Sequence, residues 1–221
     1  MTGVNKVALL VVVAALLAGG GMRLHRHHQE KRLLEDILAA RTHQMAEEKE
    51  LGDQFEKLDL DRYTRPESLL SPDDISAGRG ELQKFRGLLS QFDELVKKEQ
   101  AEFDAVVDKT PPGAVRDEAI LEEGKAMDRN RAVNGKVRQA LNDRADAIQA
   151  MLNFADANLG HLQVSGGAFV PESQAQADQL QALNKRFAET GKAAQAAGAE
   201  ARQLADESDR ATAKAKDLLK H

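Results

Sequence analysis

"LQALNKRFAETGKAAQAAGAEARQLADESDRATAKAKDL" (residues 180–218) decides the fold class. Leu180, Leu183, Phe187, Thr190, Ala194, Ala197, Ala201, Leu204, Ser208, Ala211, Ala215 and Leu218 recur at alternating intervals of three and four, and ten of these twelve are apolar. Such a period puts one stripe of a helix against neighbouring helices and leaves the rest to solvent. The pattern predicts a helix from about Glu172 to Leu219. Its many alanines let a neighbour approach closely while each buries little area.

Working outward, the preceding stretch "HLQVSGGAFVP" (residues 161–171) is the one β-like piece. Short apolar runs flank Ser165-Gly166-Gly167, which predicts a small hairpin or a cap over the end of a bundle. Before it, Val137, Leu141, Ala145, Ile148, Leu152, Ala155 and Leu159 form a second helical stripe. That helix is expected to run from about Ala114 to Leu159, with Gly160 as its C-cap and a kink at Gly124 or Gly135.

A third stripe lies upstream. Leu82, Phe85, Leu89, Phe92, Val96, Glu99, Phe103 and Val106 keep the same alternation with one polar member, Glu99. On a seam, Glu99 reads either as a buried register-setting group or as the point where the seam becomes wet, and the wet reading is the expectation. The helix start is explicit: Ser71 as N-cap, Pro72 in the first position and Asp73 and Asp74 in the first turn. "KTPPG" (residues 109–113) ends it. The seams place Phe85, Phe92, Phe103 and Phe187 in the core.

A first helix is expected to reach about Leu60, on a ragged stripe of Leu34, Leu38, Met45, Phe55 and Leu58. The two prolines of "DRYTRPESLLSP" (residues 61–72) end it in a loop. Short connections make the later helices antiparallel neighbours. At 1.5 Å per residue they would span roughly 50–70 Å, an elongated three- to four-helix coiled-coil-like bundle. The fold class is all-α, and the expected organisation is an N-terminal segment (1–24), a juxtamembrane helix and loop (25–70) and a bundle domain (71–221).

Composition agrees. Aromatics are scarce and charged residues make up 30% at a net charge of −5, which disfavours a nucleic-acid partner because that needs a concentrated basic footprint. The absence of cysteine excludes disulfides, thiolate chemistry and Cys-bound zinc.

The N-terminus carries an uncharged run over residues 7–22, "VALLVVVAALLA" at its centre. It reads as a transmembrane helix flanked by Lys6 and Arg23, or as a signal segment with small residues at 18–20. The following "RLHRHHQEKR" (residues 23–32) supplies Arg23, Arg26, Lys31 and Arg32 as a basic membrane flank. His25 and His28, i,i+3 on one helical face, are the candidate metal ligands there, but two imidazoles lack the third ligand zinc requires. The charge count favours a cytoplasmic bundle.

"LGHLQVSGGAFVPESQAQADQLQALNKRF" (residues 159–187) resembles a C-terminal pattern of small extracytoplasmic, membrane-anchored helical proteins, often lipoproteins. Phe169, Pro171 and Asn184 carry it; the chain lacks a lipidated cysteine and has Leu183 where an aromatic is common. The resemblance implies no activity. It does imply export, hence a single-pass protein of a bacterial inner membrane with a periplasmic bundle.

None of the phosphate-binding, dinucleotide-binding, zinc-protease or nucleophile-elbow motifs occurs in the sequence. The carboxylate pairs Asp73/Asp74 and Glu122/Glu123 read as helix-start and surface charge. The expected function is therefore a membrane-anchored scaffold or interaction protein, not an enzyme and without a cofactor. Its expected partners are the membrane and either another protein or a second copy, met through a helical seam. The alternatives are a ligand-sensing helical bundle and a His-dependent metal-binding protein.

Overall fold

The computed structural model describes residues 24–218, and 82% of these residues are helical, so the fold is all-α. Four long helices follow in order: α1 (Leu24–Glu56), α2 (Pro72–Lys109), α3 (Ala114–Ala157) and α4 (Gln174–Leu218). Two single-turn 3-10 helices (Arg62–Thr64 and Ser68–Leu70) lie between α1 and α2, and strands β1 (Gln163–Ser165) and β2 (Ala168–Val170) lie between α3 and α4.

Local chemistry sets the boundaries. The Asp74 amide donates to Ser71 Oγ at 3.2 Å, so Ser71 caps α2 as its sequence predicts. α3 ends at Ala157, before the expected Leu159, so Gly160 does not cap it; Gly160 sits at φ +81° in the following turn, where the His161 amide donates to the Asn158 carbonyl at 2.9 Å. α3 stays helical through Gly124 and Gly135. β1 and β2 pair antiparallel, with Val164 opposite Phe169, across a two-residue turn in which Gly166 and Gly167 both take positive φ. The start of α4 is fixed by Ser173, whose Oγ accepts from the Gln176 amide at 3.2 Å, while Gln176 Oε1 accepts from the Glu172 amide at 2.8 Å.

The chain forms two compact units. Of the described residues, one consists of those up to Gly52, Gln91–Gly135 and those from Gly198 onward; the other consists of Asp53–Ser90 and Lys136–Ala197. In the first, Leu33 and Ile37 of α1 pack with Phe103 and Val107 of α2 in one buried cluster, with Val106 half-buried beside it. Lys98 of α2 meets Glu47 of α1. The higher α1 number thus pairs with the lower α2 number, which makes the two segments antiparallel. The face of α1 that is buried holds Leu33, Ile37, Glu48 and Leu51. Of the expected stripe, Phe55 and Leu58 are half-buried and Leu58 lies beyond the end of α1 at Glu56, while the side chains of Leu34, Leu38 and Met45 lie outside the described residues.

In the second unit, α2 and α3 run antiparallel, tied by Arg79–Asp156 and Arg86–Asp146, both at 2.8 Å. Ile75, Leu82 and Phe85 of α2 are buried together with Ala145, Ile148, Leu152 and Ala155 of α3. Phe55 meets Phe85 edge-on, with ring centres 5.6 Å apart. Residues 57–71 form a strap over this unit, in which Leu60 and Leu69 are buried. Gly78 of α2 receives the strap: a Cβ there would lie 2.9 Å from Cβ of Tyr63.

The placement expected from the sequence is corrected here. Among the described residues, no helix is long and apolar enough to cross a membrane. The cause is charge: α1, α2, α3 and α4 each carry acidic and basic residues along their whole length. The single-pass inner-membrane assignment, with its periplasmic bundle, therefore falls. Residues 7–22, with Lys6 and Arg23, lie outside the described residues.

Candidate functional site

Polar chemistry concentrates at two places, one in each unit. In the second unit it centres on Arg144 of α3, whose side chain is 15% exposed. Its Nη1 donates to the Phe187 carbonyl at 2.7 Å, and its guanidinium carbon lies 3.3 Å above the centre of the Phe187 ring. Its Nη2 faces Asp61 Oδ1 at 3.4 Å. Gly191, one turn along α4, leaves room for the guanidinium, for a Cβ there would lie 3.4 Å from Nη1. Burial lowers the basicity of Arg144 and Asp61 partly offsets it, so the group keeps its charge in a poorly hydrated setting.

Phe187 is accordingly half-buried and serves as a shelf for a cation, whereas the sequence put it in the core with Phe85, Phe92 and Phe103. Nothing local in "NDRADAIQA" (residues 142–150) marks Arg144, because its partner stands 43 residues away.

In the first unit, carboxylates gather where α1 meets α2. Glu99 is 4% exposed and Glu48 is also buried. This overturns the wet-seam reading of Glu99, which is buried on the α2 seam like Phe92 and Phe103. Lys98 Nζ donates to Glu47 Oε1 at 2.5 Å, and that hydrogen bond, ahead of the charge itself, raises the Lys98 ammonium above its ordinary value. The second oxygen of Glu47 is buried without a hydrogen-bond partner among the described residues.

Of the remaining polar contacts, many lie within one helix, as Lys84–Glu81 and Lys97–Glu94 do, and others join helices or hold an end. Arg129 of α3 meets Glu207 of α4 at 2.8 Å, and Arg116 meets Asp108 across the α2–α3 turn at 2.8 Å. At the hairpin end, Asn158 donates to the Phe154 carbonyl and accepts from Gln176. Asp73 and Asp74 sit in the first turn of α2, where they favour the helix dipole, and Asp74 also meets Arg62 at 3.5 Å.

The basic flank divides. Lys31 and Arg32 are exposed on α1, Arg26 lies in its first turn, and Lys6 and Arg23 lie outside the described residues. His25 and His28 fall in the first turns of α1 at the expected i,i+3 spacing. Among the described residues, no group of three or more His, Cys, Asp or Glu is placed to hold a metal ion.

On the apolar side, α4 carries a half-buried stretch between the buried Leu180 and a buried stretch that begins at Ala197. Ala197, Ala201 and Leu204 of its seam are buried, whereas Leu183, Phe187, Thr190 and Ala194 are each only half-covered. Comparison of the chain with protein families, curated proteins and solved structures finds no match.

Proposed function

We propose that this protein is a non-catalytic helical scaffold or interaction module, an antiparallel bundle of three to four helices that pairs through the seam of α4 with a second copy of itself. One observation carries the reading. From Leu180 to Leu204 the three-four spacing of α4 continues unbroken, yet its cover does not, since Leu183, Phe187, Thr190 and Ala194 are half-covered. A helix face with sustained apolar spacing and incomplete cover has area left to bury against another helix.

The polar groups support the same reading. Arg79, Arg86, Lys98, Arg129 and Arg144 each contact an acidic or carbonyl oxygen on another element, which suits holding helices in a fixed arrangement. The buried Glu48 and Glu99 suit register setting. Small seam residues such as Ala194 allow a second helix to approach closely.

Sedimentation velocity over a hundredfold range of protein concentration tests the proposal. Mass-action association is expected, and Leu183→Glu, a half-covered position, should shift it toward monomer while preserving helical circular dichroism. A wild-type chain that sediments as monomer throughout would refute self-association.

A further inference from the structure

We infer that Arg144 is the link by which the strap, residues 57–71, controls the order of α4 around Phe187, so that displacing the strap loosens that helix. The coupling is a property of the second unit alone and holds whether or not the α4 seam pairs with another copy.

The argument begins with desolvation. A guanidinium that is 15% exposed has lost most of its water and keeps its place only if fixed groups replace that hydration. Three do so here. The Phe187 ring faces the cation at 3.3 Å, the Phe187 carbonyl accepts at 2.7 Å, and Asp61 supplies a negative charge at 3.4 Å. Two belong to α4 and the third to the strap. Arg144 itself belongs to α3, so one side chain connects three elements.

Asp61 itself is 82% exposed and its approach is long, which makes it the weakest and most easily removed of the three. Once that charge is gone, holding the cation against Phe187 becomes less favourable and the flexible side chain can turn to solvent. α4 then loses both the donor to the Phe187 carbonyl and the body that fills the space beside Gly191. The strap has a second ionic contact, Arg62 to Asp74 of α2 at 3.5 Å, which does not involve α4. Nature thus supplies an internal control.

Hydrogen exchange by mass spectrometry on the full chain reads both ends of the link. Asp61 has ordinary helical backbone angles, so Asp61→Ala keeps the strap geometry. It should speed exchange of amides 187–194 on α4 about two- to fivefold, the opening expected from losing one exposed ion pair. Arg62→Gln should speed exchange in the strap and leave 187–194 unchanged. In an Arg144→Lys background, Asp61→Ala should no longer reach α4, since an ammonium lacks the planar fork that serves both partners. Unchanged exchange at 187–194 in Asp61→Ala would overturn the inference. Equal acceleration by Arg62→Gln would overturn it too, by showing that the strap acts as a whole and not through Arg144.

Discussion

The guanidinium of Arg144 stacks on the ring of Phe187 and at the same time donates to that residue's carbonyl, at 3.3 and 2.7 Å respectively. Because one contact uses the side chain and the other the backbone, substitution separates them. Phe187→Leu removes the ring and keeps the carbonyl, so it should cost about 0.5–1 kcal/mol beyond the change in packing. Arg144→Met loses both contacts and should cost about 1–3 kcal/mol. Urea unfolding of the two variants checks the order.

Gly78 and Gly80 sit two residues apart on α2 and should respond in opposite directions. A Cβ at Gly78 would meet Cβ of Tyr63 at 2.9 Å and Leu152 at 3.1 Å, whereas nothing lies within 4 Å of one at Gly80. Gly80→Ala should stabilise by about 0.5–1 kcal/mol through helix propensity. Gly78→Ala should destabilise by about 1–3 kcal/mol, because the strap must move. Thermal melts of the pair decide it.

Phe85 is buried and meets Phe55 edge-on. Phe85→Ala should cost about 3–5 kcal/mol, near the upper range for core truncation, and Phe92→Ala, at another buried seam position, a similar amount. An unchanged denaturation midpoint in either would contradict the seam.

Acid should weaken the α3–α4 contact at Glu207. Its hydrogen bond from Arg129 is the largest influence holding that carboxyl below its ordinary 4.5. A folded-state value below the unfolded one gives stability that is present above pH 4.5 and lost as pH falls through the folded value. The pair is substantially exposed, so the contribution stays under about 1 kcal/mol. The stability difference between wild type and Glu207→Gln should therefore be constant near neutrality and vanish in acid, which urea midpoints at several pH values will show.

How far the sequence could be read varies with the range of the interaction. The α2 cap at Ser71 and the Gly166-Gly167 turn are short-range and were legible from residue type, while Gly160 was read as a helix cap and instead serves the turn after α3. The seams of α2 and α3 were legible too, since periodicity records burial, whereas on α4 the spacing continues through Leu183, Phe187, Thr190 and Ala194, which are only half-buried. Ser173 with Gln176 was a readable capping signal that the two-residue-early start of α4 overlooked.

Long-range relationships were not legible. Leu33 and Ile37, each one position before a residue of the expected stripe, cluster with Phe103 and Val107, a contact that the ragged spacing of α1 alone does not show. Glu99 looks the same in sequence whether wet or buried, and only the folded structure shows it buried. Arg144 needs Phe187 and Asp61, 43 and 83 residues distant, to become more than a surface charge.

The most direct test of the proposed association is thiol protection along α4, which is clean because the chain has no cysteine of its own. Single variants Ala194→Cys, Gln195→Cys and Ala201→Cys place the thiol at half-covered, exposed and fully buried positions. Alkylation should be fast at 195, slow at 201, and intermediate at 194 in dilute solution. Self-association through the seam predicts that labelling at 194 slows as protein concentration rises, while labelling at 195 does not. A rate at 194 that is independent of concentration, or that follows 195 throughout, would contradict the account.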